Sequence, residues 1–184
     1  MKSKFTAHST ISPDATPAAI VVMGVAGCGK SSIASAFARH LKGVLIEGDS
    51  FHSLENIEKM RKGIALTDQD RATWLTQLND ELRSAVAAGK LPILACSALK
   101  ASYRARLESD LGTLATVFLD LSRSEAEKRV SLRTDHYMPP SLVSSQFTDL
   151  EPPADSKNAI TVDATLPPAE ILHSLTLWWN TRVH

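Results

Sequence analysis

The sequence has little that would suit an oxidising or membrane-bound setting. Only two cysteines, Cys28 and Cys96, occur in 184 residues, and their spacing fits neither a disulfide framework nor a metal site. No apolar run approaches the ~20 residues that span a bilayer. The N-terminal segment also lacks the apolar stretch of a secretory signal. We therefore predict a cytoplasmic protein with reduced thiols and no membrane contact.

The chain also has no excess of either charge and few aromatic side chains. Lys and Arg number 20, as do Asp and Glu, and aromatic residues make up 5%. A balanced charge without a basic stripe argues against a nucleic-acid partner. Residues 1–17 are rich in Ser, Thr, Ala and Pro, which is typical of a flexible N-terminal tail. The remaining residues, 18–184, have a suitable length for a single domain.

What the sequence does contain is a glycine-rich phosphate-binding motif. Residues 24–31 read GVAGCGKS, follow the apolar run AIVVM and precede a helical pattern over residues 31–41. In this strand–loop–helix context, the backbone N–H groups of a G-x-x-x-x-G-K-S loop surround phosphate oxygens. Lys30 is expected to reach the β- and γ-phosphates of a nucleoside triphosphate, and Ser31 to offer its hydroxyl to Mg²⁺. The predicted nucleotide-binding residues of this segment are Gly24, Val25, Ala26, Gly27, Cys28, Gly29, Lys30, Ser31 and Ser32.

Short apolar runs alternate with amphipathic stretches along the domain. The predicted strands are residues 20–23, 44–47, 92–96, 115–119 and 159–162. Their Val, Ile and Leu content is typical of a parallel sheet covered on both faces. Between them, helices are predicted to start at two capping boxes, Thr67 with Asp70 and Ser122 with Glu125. Two further apolar stripes predict helices that pack on the core: Leu99, Tyr103 and Leu107, and then Ile171, Leu175 and Trp178.

This alternation predicts a doubly wound α/β fold with a five-stranded parallel sheet. Ligands of such sheets bind at the carboxyl edge of the strands. Asp49 follows the second strand at that edge, and we predict that it orients an acceptor hydroxyl and takes its proton. Glu47 lies two residues earlier on the same face, so it is a candidate to hold Mg²⁺ through water or, alternatively, to pair with a neighbouring base.

Several cations follow the second and third strands. Lys59 and Arg71 lie in an insertion at about residues 50–88, where they are candidates to bind an anionic acceptor. Ser97, Lys100 and Arg104 follow the third strand, and the last two are spaced to share a helix face. We predict that these residues contact the acceptor or its phosphate, although a solvent-exposed helix surface would give the same pattern.

A polar segment at about residues 131–141 is predicted to be a lid, since it ends in Pro139-Pro140 between two helical stretches. A lid would exclude water, which otherwise competes as phosphoryl acceptor. Arg133, or alternatively Arg129, is the candidate to stabilise charge on the transferred group, and His136 is a candidate acceptor contact.

Five separate blocks of sequence resemble the gluconate kinase family, in the same order. They are GDSFH (48–52) with NIEKM (56–60), LTDQDRATWL (66–75), CSALK (96–100) with YR (103–104), HYMP (136–139) with SQF (145–147), and LEP (150–152). Together with the phosphate loop, the resemblance extends from Ile20 to Asp163. Residues 1–17 lie outside it.

The resemblance implies a Mg²⁺-dependent kinase that uses ATP to convert D-gluconate to 6-phosphogluconate, and it implies a homodimer. It also implies a three-layer fold similar to adenylate and shikimate kinases, with a lid. Asp49 matches the acceptor-binding carboxylate of shikimate kinases, whereas Glu47 departs from their pattern. Arg129 is a further predicted nucleotide-binding residue. The implied substrate-binding residues are Asp49, His52, Lys59, Arg71, Ser97, Lys100, Arg104, His136 and Gln146.

Three alternatives share the phosphate loop. A GTP-dependent switch would need the motifs Asn-Lys-x-Asp and Asp-x-x-Gly, and neither occurs in the sequence. A shikimate-like or nucleoside monophosphate kinase has the same fold but a different acceptor. A metabolite sensor that binds ATP without catalysis would release no ADP.

Overall fold

The computed structural model describes residues 16–132, 141–154 and 156–183. Its centre is a five-stranded parallel sheet in the order β2-β3-β1-β4-β5. The strands are β1 (Ala19–Met23), β2 (Val44–Glu47), β3 (Pro92–Ala95), β4 (Leu114–Asp120) and β5 (Ala159–Asp163). The predicted fold class and all five predicted strands are thus confirmed, with ends that differ by one residue or not at all.

Helices follow the strands and cover both faces of the sheet. They are α1 (Lys30–Leu41), α2 (Leu54–Arg61), α3 (Asp68–Ala87), α4 (Ala101–Glu108), α5 (Arg123–Ser131), α6 (Ser141–Asp149) and α7 (Pro168–Val183), and a 3₁₀ turn spans Gly48–Phe51. No helix in the described part of the chain is both long and apolar enough to cross a membrane.

The central strand β1 separates two cores. Ile20 and Val22 belong to the core formed with α1, α5 and α7, whereas Val21 and Met23 belong to the core formed with α3 and α4. This division follows from the period of two in a strand, which sends successive side chains to opposite faces. Because both faces are buried, β1 consists entirely of apolar residues.

Three local predictions need correction. The Thr67–Asp70 capping box is complete, but at Ser122 only the hydroxyl half forms, because the Glu125 carboxylate accepts from Arg129 instead. The predicted stripe of Leu99, Tyr103 and Leu107 is not wholly helical. Helix α4 begins at Ala101, and the buried Leu99 lies in the preceding loop.

The third correction concerns α7, where Trp179 rather than Trp178 continues the buried stripe of Ile171 and Leu175. The spacing from Leu175 to Trp179 is one helical turn of four residues, which keeps the side chain on the same face.

Most of the predicted tail and lid lies outside the described residues. Of the tail, residues 1–15 are not described, and of the lid, residues 133–140 are not. Arg133 and His136 fall in that second segment. The insertion between β2 and β3 contains the 3₁₀ turn, α2 and α3, and it lies next to the carboxyl end of the sheet.

Candidate active site

The phosphate loop joins β1 to α1 in a conformation that depends on close approaches. A Cβ added at Gly24 would lie 2.7 Å from the Leu119 carbonyl oxygen and 2.8 Å from Cys28 Sγ. Gly29 ends the loop with φ of 91° and precedes the first residue of α1. The N-terminal N–H groups of α1 therefore face the loop, and with the helix dipole they favour an anion there. Lys30 Nζ donates to the Val25 carbonyl at 3.0 Å, so its charge lies over the loop.

A cleft of about 170 Å³ opens between this loop and the insertion. It brings together the phosphate loop with the start of α1, the turn after β2, the end of α2, the start of α3, the segment after β3 and helix α6. Six of the predicted acceptor-site and catalytic residues thus share one lining with the phosphate loop. The lining residues are Ala26, Gly27, Gly29, Lys30, Ser31, Ser32, Asp49, His52, Met60, Leu66, Arg71, Ser97 and Gln146.

Ser31 and Glu47 come together at the mouth of the loop. The Ser31 hydroxyl donates to Glu47 Oε2 at 2.9 Å. A hydroxyl and a carboxylate at this spacing are hard oxygen ligands, which Mg²⁺ combines with phosphate oxygens and water. The pair fits the predicted metal role of both residues.

Asp49 lies in the 3₁₀ turn that follows β2, and this turn is held from two sides. A Cβ added at Gly48 would lie 2.7 Å from the Ala95 carbonyl oxygen, so the turn lies directly against the end of β3. On the other side, Trp74 Nε1 donates to the Gly48 carbonyl at 2.8 Å. The Asp49 carboxyl group, which lines the cleft, is therefore carried by a fixed backbone.

His52 stacks on Trp74 with ring centroids 4.3 Å apart and an interplanar angle of 15°. Burial lowers the pKa of His52 to about 4, with Arg71 adding to the effect and Asp49 opposing it. The imidazole is therefore neutral at neutral pH, and its buried Nδ1 has no hydrogen-bond partner among the described residues.

Arg71 is the buried cation of the cleft, with 9% of its surface exposed. Its Nε donates to the Leu66 carbonyl at 3.4 Å, and its guanidinium lies 5.5 Å from the centre of the Tyr103 ring. A carboxylate oxygen of Asp149 lies 3.7 Å from the guanidinium. That distance is too long for the two parallel hydrogen bonds of a bidentate pair.

The structure does not bring the other predicted acceptor-binding cations into the cleft lining. Lys59 pairs with Asp70 at 2.7 Å and with Glu55 at 3.3 Å. The hydrogen bonds that Lys59 donates to Asp70 and Glu55 raise the pKa of Lys59.

Lys100 pairs with Asp68 at 2.7 Å and with Asp149 at 3.5 Å. Its hydrogen bond to Asp68, which also accepts from the Tyr103 hydroxyl, raises its pKa. Arg104 donates to the carbonyls of Ala98 and Leu99, at 3.0 Å each. Lys59 thus joins α2 to α3, Lys100 joins the start of α4 to α3 and α6, and Arg104 holds the loop that precedes α4.

Arg129 lies against the phosphate loop from the side of α5. Its guanidinium donates to the carbonyl of Ala164 at 3.0 Å and to that of Gly27 at 3.5 Å, and Nε donates to Glu125 at 3.0 Å. This location suits the predicted contact with a nucleotide.

Helix α6 contributes contacts that the sequence did not predict, although Gln146 itself was an implied substrate-binding residue. Gln146 Oε1 accepts from the Ala26 N–H at 2.6 Å, Leu142 packs with Met60 and Leu66, and Asp149 faces Arg71. Positions 142, 146 and 149 share a face because they follow the i, i+4, i+7 spacing, which is the signal that the sequence offered. Trp74, which holds the turn of Asp49 and stacks on His52, was not among the predicted site residues.

Comparison with known proteins gives a consistent result. A family model described as AAA domain matches residues 20–150. A gluconokinase of Gluconobacter oxydans (strain 621H) is 43% identical over 159 residues, which cover 86% of this chain and 89% of that protein. The crystal structure of a gluconokinase from Sinorhizobium meliloti 1021 is 42% identical with a TM-score of 0.79, and the match covers 90% of this chain and 93% of that one.

A more distant solved structure shares the fold of this chain but gives no evidence about its function. An APS kinase of Mycobacterium tuberculosis is 19% identical with a TM-score of 0.65, covering 90% of this chain and 98% of that one. Similarity at that level is evidence of a shared kinase fold alone. The two matches above 40% identity are of a different kind, because they cover most of both chains, and by them the chain belongs to the gluconokinase family.

Proposed function

We propose that this protein transfers the γ-phosphoryl group of ATP to the terminal hydroxyl of D-gluconate, giving 6-phospho-D-gluconate and ADP. The observation that supports this most directly is that Lys30, Asp49 and the buried Arg71 line one cleft. The reaction needs a cation at the transferred group, a base for the attacking hydroxyl and a partner for the acceptor's carboxylate. Relatives across most of the chain are named gluconokinases.

The phosphates of ATP would bind in residues 24–31. Lys30 and the N–H groups at the start of α1 would stabilise negative charge on the leaving and transferred phosphoryl groups. Ser31 and Glu47 are the residues that would hold Mg²⁺. When bound, this ion would neutralise part of the phosphate charge.

Asp49 would act as the base. Its carboxylate would accept the proton of the acceptor's terminal hydroxyl while that oxygen forms its bond to phosphorus and the bond to ADP breaks. His52 and Ser97 would hydrogen-bond acceptor hydroxyls from the same lining.

Arg71 would bind the acceptor's carboxylate at the other end of the cleft. A guanidinium matches a carboxylate with two parallel hydrogen bonds, and burial strengthens that contact. Lys59, Lys100 and Arg104 stay predicted acceptor contacts. Their present ion pairs and carbonyl contacts would have to open before they reached the cleft.

Residues 131–141 would cover the cleft during transfer and exclude water. Arg133 would stabilise the transferred group, His136 would contact the acceptor, and Gln146 would join the acceptor contacts at the border with the phosphate loop. Arg129, which donates to the Gly27 carbonyl, would contact the nucleotide.

An ADP-release assay tests the proposal against its alternatives. Purified protein with ATP and Mg²⁺ would be offered D-gluconate, other sugar acids, shikimate and nucleoside monophosphates. We expect rapid ADP release with gluconate that requires Mg²⁺. Turnover with shikimate or a nucleoside monophosphate but not with gluconate would reject the assigned substrate. Binding of ATP and gluconate without ADP release would identify a sensor.

A homodimer and a cytoplasmic location complete the proposal. The family resemblance supports the homodimer, and the two cysteines, whose spacing fits no disulfide framework, support the location. Light scattering during size-exclusion chromatography tests the first. The chain has a mass of 19.9 kDa, so we expect a species of twice that mass, and a monomer across the accessible concentration range would reject it.

A further inference from the structure

Two cavities meet at a single side chain. The cleft described above holds about 170 Å³, and a second, outer pocket of about 670 Å³ lies between residues 50–56 and one face of α3. Of the described residues that line either cavity, His52 is the one that lines both. His52 therefore belongs to the partition between the predicted acceptor site and the outer pocket, and its imidazole stacks on Trp74, which lines the outer pocket.

The partition is held in position by Trp74. The indole is 2% exposed, lies parallel to the imidazole at 4.3 Å and is fixed through Nε1 to the Gly48 carbonyl at 2.8 Å. A ring stacked on a fixed platform loses rotamer freedom, so it cannot turn aside at low cost to admit a larger ligand. The depressed pKa of His52 means that this wall carries no charge near neutral pH.

The outer pocket has the chemistry of a site for an uncharged sugar ring. Hydroxyl and amide side chains make up half of its lining, namely Ser50, Ser53, Asn56, Gln69, Thr73 and Gln77. Such groups both donate and accept hydrogen bonds, as sugar hydroxyls require. Trp74 borders the pocket at the side shared with His52, where the stacked imidazole covers its indole ring.

The acidic groups of the outer pocket are already engaged by cations. Asp70 pairs with Lys59 and also accepts from the Thr67 N–H, and Glu55 pairs with the same lysine. They therefore present less negative charge to a ligand than two isolated carboxylates would.

We propose that His52 is a specificity-determining residue that limits the acceptor to an unsubstituted sugar acid, with Trp74 as its positioning residue. Removing the imidazole would join the two cavities, and a second sugar ring attached to the acceptor would then lie in the outer pocket. This inference rests on the proposed function, because it assumes that the acceptor lies in the cleft beside Asp49.

The test compares wild-type protein with His52→Ala and with His52→Gln, which keeps a side chain of similar size. Substrates are gluconate and gluconates that carry a glucosyl group on O3, O4 or O6. We expect His52→Ala to raise the kcat/KM of the O3- or O4-substituted acid, relative to that of gluconate, by at least about tenfold, which corresponds to about 1.4 kcal/mol. His52→Gln should leave this ratio near the wild-type value.

The O6-substituted acid is the matched negative control, since its terminal hydroxyl is blocked, and it should remain unreactive in every variant. An unchanged ratio for both the O3- and O4-substituted acids in folded His52→Ala would overturn the proposal. If His52→Ala does not fold, Trp74→Leu removes the stacking platform while keeping an apolar side chain, and it should shift the ratio in the same direction by a smaller factor.

Calorimetric binding of the same acids separates this inference from the proposed function. If wild-type protein does not phosphorylate gluconate, the proposed function fails. Tighter binding of a substituted acid to His52→Ala than to wild-type protein would then still support the partition, and equal binding would reject it. His173→Ala, on the exposed side of α7, controls for loss of a histidine as such.

Discussion

Gln146 and Ala26 lie 120 positions apart in the sequence, yet the side-chain oxygen of Gln146 accepts the backbone N–H of Ala26 at 2.6 Å. The glutamine is 7% exposed and lines the cleft. Helix α6, which follows residues 133–140, is thus joined directly to the phosphate loop. A neutral amide oxygen can accept from this loop without bringing a full negative charge to a site built for anions.

For nucleotide binding, the charge of the side chain at position 146 should matter more than its ability to accept a hydrogen bond. We expect Gln146→Glu to weaken binding of a non-hydrolysable ATP analogue by about tenfold or more, because a carboxylate beside the loop repels the triphosphate. Gln146→Leu removes the acceptor without adding charge, so it should cost stability of about 1–3 kcal/mol but weaken nucleotide binding less. Calorimetry measures both, with Gln77→Glu on the exposed face of α3 as the control. Equal weakening by the two Gln146 variants would contradict the electrostatic explanation.

Asp49→Asn tests the assignment of the base. The amide keeps the size of the side chain but does not take the hydroxyl proton, so kcat should fall by about 10²–10⁴-fold. Binding of the ATP analogue should stay at the wild-type level, since the contacts of the phosphate loop are unchanged. Steady-state ADP release gives kcat, and Asp80→Asn, which removes an exposed carboxylate of α3, is the control. Retention of wild-type kcat by Asp49→Asn would mean that another group takes the proton.

The sheet was predictable because its signal is local. Each strand is a short apolar run between turn residues, and burial on both faces leaves few other interpretations for such runs. The boundary of α4 was not predictable in the same way. Leu99 fits the spacing of Tyr103 and Leu107, but it is buried by the loop rather than by a helix. Periodic spacing of apolar residues indicates which side chains are buried, but not by which backbone. Here a loop buries Leu99 and a helix buries Tyr103 and Leu107.

Site residues that follow a strand were predictable, because the sheet topology fixes their location. Residues whose location depends on ion-pair or hydrogen-bond partners elsewhere in the fold were less predictable. Asp49 and Ser97 follow strands, so parallel topology brings them to the phosphate loop. Lys59, Lys100 and Arg104 were indistinguishable from Arg71 in the sequence. In the structure these cations bind other groups and do not line the cleft. Lys59 pairs with Asp70, Lys100 pairs with Asp68, and Arg104 donates to the carbonyls of residues 98 and 99. Such pairings depend on tertiary contacts that one sequence does not reveal.

Arg71→Lys tests recognition of the acceptor's carboxylate. Lysine keeps the charge but loses the planar pair of donors, so we expect the KM for gluconate to rise by about 10–100-fold while the affinity for the ATP analogue holds. The exposed Arg83→Lys on the same helix is the matched control. A neutral hexitol, which has no carboxylate, should respond much less to Arg71→Lys than gluconate does. A similar rise in KM for both acceptors would instead indicate general damage to the cleft.

The depressed pKa of His52 predicts how stability depends on pH. The group has a pKa of about 4 in the folded protein and 6.5 when unfolded, so the unfolded state binds more protons between these values. The contribution of neutral His52 is therefore complete above pH 6.5 and is lost as pH falls towards 4. We expect wild-type protein to lose about 2–3 kcal/mol more than His52→Gln does between pH 7 and pH 4.5, on the basis of a shift of roughly two and a half pKa units. Urea unfolding at the two pH values measures this difference. Equal losses of unfolding free energy in the two proteins would show that the imidazole is not desolvated. Water would then reach the His52 ring despite its 4.3 Å stacking contact with Trp74.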